Sequence, residues 1–253
     1  VTVSDSTFTN TKTESNGGAI YSDIGSVTVT GSTFTHTTST RSGGGAIFGG
    51  SDVSVSNSTF TNTTTGGDGA IYGHKVTVIN STFKDTTAQG GGGAIYGGDG
   101  GVTVLNSIFT NTTAGCGGAI STGEGSVNVV NSTFKDTTAT GFYYGDGGGA
   151  IYTYTGSVTV SNSNFTNTIA DNCDGGAIYS DIGSVNVINS AFTDTKAEMY
   201  GGAIYASEGS VNVINSAFTD TKAEMHGGAI DSNSSAIVTN SKFTNCQAPT
   251  GSD

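Results

Sequence analysis

The chain has 253 residues, of which 41 are glycine, one is proline and none is tryptophan; only 11% are charged, and the formal net charge is −12. Eight Lys and Arg in total are too few and too scattered for phosphate binding, which argues against nucleic acid and against anionic membranes as partners. The apolar runs are only a few residues long, so no membrane insertion is expected, and the abundance of Gly and Ser would signify disorder but for a strict internal period.

Phe8, Phe34, Phe60, Phe83, Phe109, Phe134, Phe165, Phe192, Phe218 and Phe243 recur about every 26 residues. Self-similarity at that period marks a stacked solenoid. In chain order, each repeat opens with alternating Val, as in Val27-Thr28-Val29-Thr30, which reads as a strand with one buried face. Asn and Ser follow, and a polar column of this kind predicts a ladder in which each amide donates to one neighbouring turn and accepts from the other. The Phe comes next, and two residues beyond it stands Asn, Asp or, once, His36. In that column Asp194 falls over Asp220; facing inward, such a pair would need a shared proton or a cation. A Gly-rich stretch leads to Gly-Gly-Ala-Ile-Tyr, a second strand whose Ile column (Ile47, Ile71, Ile95 and their equivalents) is the expected core; the pattern leaves open whether Ala or Tyr faces inward. Short turns such as Ser22-Asp23-Ile24-Gly25, with solvated acidic groups, close each repeat.

Two or three short strands per turn and no helical period predict an all-β fold, a right-handed parallel β-helix of about ten coils of roughly 26 residues. One domain covering 1–253 is expected, and because the chain begins in mid-repeat at Val1, it is expected to belong to a longer array. An insertion near 140–147 stretches one spacing and predicts a bulging loop with Tyr143 and Tyr144 as a recognition element. Cys116 and Cys173 lie two coils apart, roughly 10 Å at strand spacing, too far for an unstrained disulfide; with Cys246 they read as isolated thiols or as intermolecular partners.

Continuing the strand alternation through the Phe predicts three outward Thr ranks, one before, one after and three after the ring. They comprise Thr7, Thr9, Thr11, Thr33, Thr35, Thr37, Thr59, Thr61, Thr63, Thr110, Thr112, Thr166 and Thr168, interrupted by Lys84 and Lys135. Such a grid resembles the ice-binding faces of β-solenoid antifreeze proteins, and Thr is also an ordinary exposed strand residue. No catalytic residue, metal ligand set or cofactor motif emerges. His36, His74 and His226 fall in unrelated phases, Arg41 is the only arginine, and glycine runs such as Gly90 to Gly93 lack the helix and Lys of a phosphate loop. A non-enzyme is expected, with a polysaccharide-active β-helix enzyme as the remote alternative.

The coupling of Gly-Gly-Ala-Ile to a Phe-x-Asn element resembles the chlamydial polymorphic outer-membrane adhesins and archaeal adhesin-like surface proteins. Here Thr, not Asn, stands three after Phe. The resemblance implies an extracellular or cell-surface structural or adhesive rod. Its expected partners are other copies of itself, end to end or side by side, with a glycan, a host surface or ice as further candidates.

Overall fold

The computed structural model describes residues 1–141 and 147–249. Every strand pairing within it is parallel and joins a residue to its copy one turn away. One turn contains the strands Val27–Thr30, Thr33–Thr35, Thr38–Ser39 and Ile47–Gly49. The Val and Ile strands of all turns make one sheet and the Phe strands with the short strands after them make the other, so two sheets wind around a common interior. This is a parallel β-helix. Ten Phe-bearing rungs define about nine turns.

The interior is a set of ladders. Phe34 and Phe60 stack with centroids 4.6 Å apart and planes 1° from parallel, and the stack is unbroken from Phe8 to Phe243. The paired Val columns, for example Val127 and Val129, and the Ile column are buried against it. Ala46, Ala94 and their equivalents also lie in this core, which settles the orientation of the Gly-Gly-Ala-Ile-Tyr strand: Ala and Ile pack inside and the aromatic ring stands outside.

Each rung turns its corners with left-handed backbone. The position three before Phe has positive φ throughout, at Asp5, Gly31, Asn57 and so on to Asn240. So does the position two after Phe, from Asn10 to Asn245. Gly, Asn and Asp are the residues that tolerate this conformation, which explains both columns. A third corner needs glycine outright: Gly117 has φ +57, and a Cβ on the neighbouring Gly118 would run into the carbonyl oxygen of Gly149.

The polar ladders form as expected. Asn106 Nδ2 donates to Asn80 Oδ1 at 3.1 Å, and Asn131 Nδ2 donates to Asn106 Oδ1 at 2.8 Å. Inside the same corner, Ser58 Oγ donates to the Ser56 carbonyl at 2.8 Å and accepts the Ser32 N–H at 3.1 Å, an arrangement repeated in neighbouring rungs. The buried corner is thereby kept satisfied.

Candidate functional site

The left-handed residue two after Phe changes the outer surface. Alternation carries Thr33 out, Phe34 in and Thr35 out; the bend at His36, φ +53, keeps that residue exposed and re-phases the strand, so Thr37 points in. The expectation of an outward rank three after Phe is therefore wrong for Thr37, Thr63, Thr112 and Thr168, all 0% exposed, and for Thr11, whose hydroxyl is buried. The ranks one before and one after the ring do face outward: Thr7, Thr9, Thr33, Thr35, Thr59, Thr61, Thr110 and Thr166 lie on the outer side of their strands. A rank missed by the sequence reading takes the place of the lost one. Thr38, Thr64, Thr87, Thr113 and Thr138, four after Phe, pair across successive rungs and point outward. The Asn or Asp at the bend, replaced once by His36, was the signal for this shift.

The outer face of the Phe sheet thus has two halves. Over the first six rungs it is mostly threonine, with Lys84 and Lys135 in the rank after Phe and Thr110 between them. Further along, Lys196, Lys222, Glu198 and Glu224 form a cluster with N–O distances of 3.8, 3.8 and 2.8 Å. The Asp194 and Asp220 carboxylates are exposed, and Asn245 Nδ2 donates to Asp220 Oδ1 at 2.9 Å; the inward carboxylate pair does not form. Tyr143 and Tyr144 lie outside the described residues. Cys116, Cys173 and Cys246 are not in disulfides. Among the described residues no three His, Cys, Asp or Glu side chains gather as metal ligands.

The other sheet has an aromatic ladder on its outside. Tyr21, Phe48, Tyr72 and Tyr96 stack at 5.4, 4.8 and 5.2 Å, and Tyr152, Tyr179 and Tyr205 continue the column at 5.5 and 5.3 Å. Between the two runs the column holds Ser121, in register with Tyr96 on one side and Tyr152 on the other. A cavity of about 510 Å³ opens there, lined by Tyr96, Tyr152, Tyr154, Asp68, Cys116, Ser121 and Thr122 together with glycines 90, 91 and 123. Asp68 Oδ1 accepts the Gly91 N–H at 2.6 Å. Burial raises the Asp68 carboxyl above its usual range, and the Gly91 hydrogen bond offsets part of the rise. Burial, with Asp68 nearby, pushes the Tyr96 phenol up to about 12, so the ring stays neutral at ordinary pH. Sequence reading noted the Tyr of Gly-Gly-Ala-Ile-Tyr but not its interruption. Ser121 in a Tyr column was the available signal.

Stacked parallel rungs, corner ladders and a continuous interior Phe column define a β-solenoid. The family model described as "Right handed beta helix region" matches residues 1–134, just over half of the chain. The chain belongs to this right-handed β-helix family. Comparison with curated proteins and with solved structures returns no match.

Proposed function

We propose that the chain is a structural or adhesive β-solenoid rod that works outside the cell and joins rung to rung with further copies. The observation that carries this reading is the unbroken Phe stack from Phe8 to Phe243, which couples every rung to the next and presents the same surface motif repeatedly along one axis. The extracellular setting follows from the resemblance to surface adhesins. The reading assigns no catalytic role, since repetition of one surface serves avidity and reach.

Sedimentation and electron microscopy over a concentration series test it, alongside binding to arrayed glycans and host-cell surfaces. Rods that lengthen with concentration, or saturable surface binding, support the proposal. A chain that stays monomeric throughout and binds neither kind of surface overturns it.

A second reading, ice binding, draws on the outward Thr-Phe-Thr strands of three consecutive rungs, Thr7–Thr9, Thr33–Thr35 and Thr59–Thr61, which pair in register. The rank at Thr38 and Thr64 widens the same face. Thermal hysteresis and inhibition of ice recrystallisation by the parent chain, both lost when Thr35, Thr61, Thr110 and Thr166 are changed to Tyr, would establish this reading. No activity in the parent would eliminate it.

A further inference from the structure

Seven Asn-x-Ser/Thr tripeptides run through the chain, at Asn57, Asn62, Asn80, Asn111, Asn131, Asn164 and Asn233, and all seven asparagines are exposed. In secreted proteins this tripeptide is the acceptor signal for N-linked glycans. The repeat copies the signal from rung to rung, but the fold does not treat the seven alike.

Five of the side-chain amides are engaged by a neighbouring rung. Asn80 Nδ2 donates to Asn57 Oδ1 at 3.2 Å, Asn111 Nδ2 to Asp85 Oδ1 at 2.7 Å and Asn131 Nδ2 to Asn106 Oδ1 at 2.8 Å. Asn233 Nδ2 donates to the Tyr205 hydroxyl at 3.1 Å, and Asn62 Nδ2 meets His36 Nε2 at 3.3 Å. Nδ2 is the atom that a glycan takes. At Asn57 and Asn164 it has no hydrogen-bond partner among the described residues. The neighbours account for this. Asn57 shares its left-handed corner with Gly31 of the adjacent rung, which has no side chain to accept from it. Asn164 pairs with Thr133 on one side and the small Ala191 on the other, in the outward rank before Phe.

Both positions also present the rest of the signal. Asn164 and Thr166 lie on the outer side of the strand Asn164–Ala170 with Phe165 buried between them, and Asn57 and Thr59 are exposed on either side of buried Ser58.

We propose that Asn57 and Asn164 are the N-glycan acceptor sites of this fold and that the other five tripeptides are not. Transfer forms a bond from Asn Nδ2 to the anomeric carbon of a polyprenyl-diphosphate-linked oligosaccharide. The amide gives up one proton, and the lipid diphosphate leaves with the electron pair of the broken C–O bond. A glycan on Asn57 leaves its Oδ1 free to accept from Asn80, and one on Asn164 stands in solvent beside Ala191. At Asn80 or Asn131 the same bond takes the amide out of a corner ladder. Transfer meets the chain before it folds, so the fold acts by selection: chains modified within a ladder fold less well and are retained. In its natural setting the modification rests on the extracellular reading above.

The test is secretion of the full chain from a eukaryotic cell behind a cleavable signal sequence. Enzymatic release of glycans in heavy-oxygen water then marks each former acceptor as Asp for peptide mapping. Because the experiment supplies the signal, the outcome bears on the two sites whatever the natural location of the chain. In the secreted pool, occupancy at Asn57 and at Asn164 should exceed that at Asn80, Asn111 or Asn131 by about fivefold or more, and the cell-retained pool should be enriched in the ladder positions. Asn57→Gln and Asn164→Gln should each remove one glycan from the intact mass. Thr59→Val and Thr166→Val, which break the signal and keep the Asn, should do the same if a Gln variant fails to fold. The proposal is overturned if neither pool carries a glycan at Asn57 or Asn164, if the ladder positions are occupied equally in the secreted pool, or if the Gln and Val variants leave the glycan mass unchanged.

Discussion

Tyr200 donates its backbone N–H to Asp174 Oδ1 at 3.0 Å, tying a nearly buried carboxylate, 4% exposed, to the next rung. Burial raises the Asp174 carboxyl to about 6, and the negative charge of Asp231 adds to the rise while the Tyr200 hydrogen bond opposes it. The folded chain therefore holds this proton more tightly than the unfolded chain does. Stability is highest below the unfolded pKa of 3.8 and falls as pH rises through the window up to about 6. Asp174→Asn keeps the acceptor for the Tyr200 N–H and removes the charge. It should stabilise the chain at pH 7 by up to about 3 kcal/mol. Thermal melts of parent and variant between pH 3 and 8 check this: the parent's advantage at acid pH should vanish in the variant. Asp68 and Asp231, raised in the same direction, leave a residual slope of the same sign in both.

A different cost sits in the Thr column that turned inward. Thr86, Thr112, Thr137, Thr168 and Thr195 occupy successive rungs with buried hydroxyls that have no hydrogen-bond partner, whereas Thr37 and Thr63 bond to each other at 3.0 Å. A buried orphan hydroxyl costs roughly 1–3 kcal/mol, and Val has the same shape without it. Thr112→Val should raise stability by about 1 kcal/mol, and Thr63→Val should lower it by orphaning Thr37. Denaturant titration of the two variants side by side gives opposite shifts in midpoint if the hydroxyls are the cause.

The Asp174 carboxylate and the inward Thr column were less legible in the residues than the apolar columns. The Val, Phe and Ile columns were legible because burial follows a period that repeats ten times. The Thr rank three after Phe was misjudged because strand alternation was carried through Asn, Asp or His36, whose positive φ restarts the phase. The interruption of the outer aromatic column at Ser121 was hidden for another reason: it shows only once Tyr96 and Tyr152 are known to stand in register with Ser121 on the outside of the same sheet. Asp174 was equally opaque, since nothing in its neighbourhood along the chain indicates that its carboxylate is buried against the Tyr200 N–H of the next rung.

The corner columns make a prediction that separates backbone from side chain. Asn106, φ +51, both accepts from Asn131 and donates to Asn80. Asn106→Gly keeps the backbone relaxed and loses only the exposed amide ladder, so its cost should stay below about 1 kcal/mol. Asn106→Val adds left-handed strain of roughly 1–2 kcal/mol for a side chain with a branched Cβ. The order of melting temperatures should be Asn, then Gly, then Val. Val equal to Gly would mean that the corner relaxes and that the amides carry the stability.

The last prediction concerns how far damage spreads along the rod. Phe109 is fully buried, 5.0 Å from Phe83 and 4.7 Å from Phe134 by ring centroids, so Phe109→Ala leaves a cavity and removes two stacking contacts. A loss of about 3–5 kcal/mol is expected. Phe243→Ala, at a ring 43% exposed with one neighbour at 4.9 Å, should cost much less. Because each rung touches only the next, coupling should follow adjacency: Phe83→Ala with Phe109→Ala should deviate from additivity by roughly 0.5–3 kcal/mol, and Phe34→Ala with Phe165→Ala should add within about 0.5 kcal/mol. Double-mutant cycles by denaturant unfolding measure both pairs. Coupling of the distant pair as strong as that of the adjacent one would show that the chain melts as a single cooperative block instead of rung by rung.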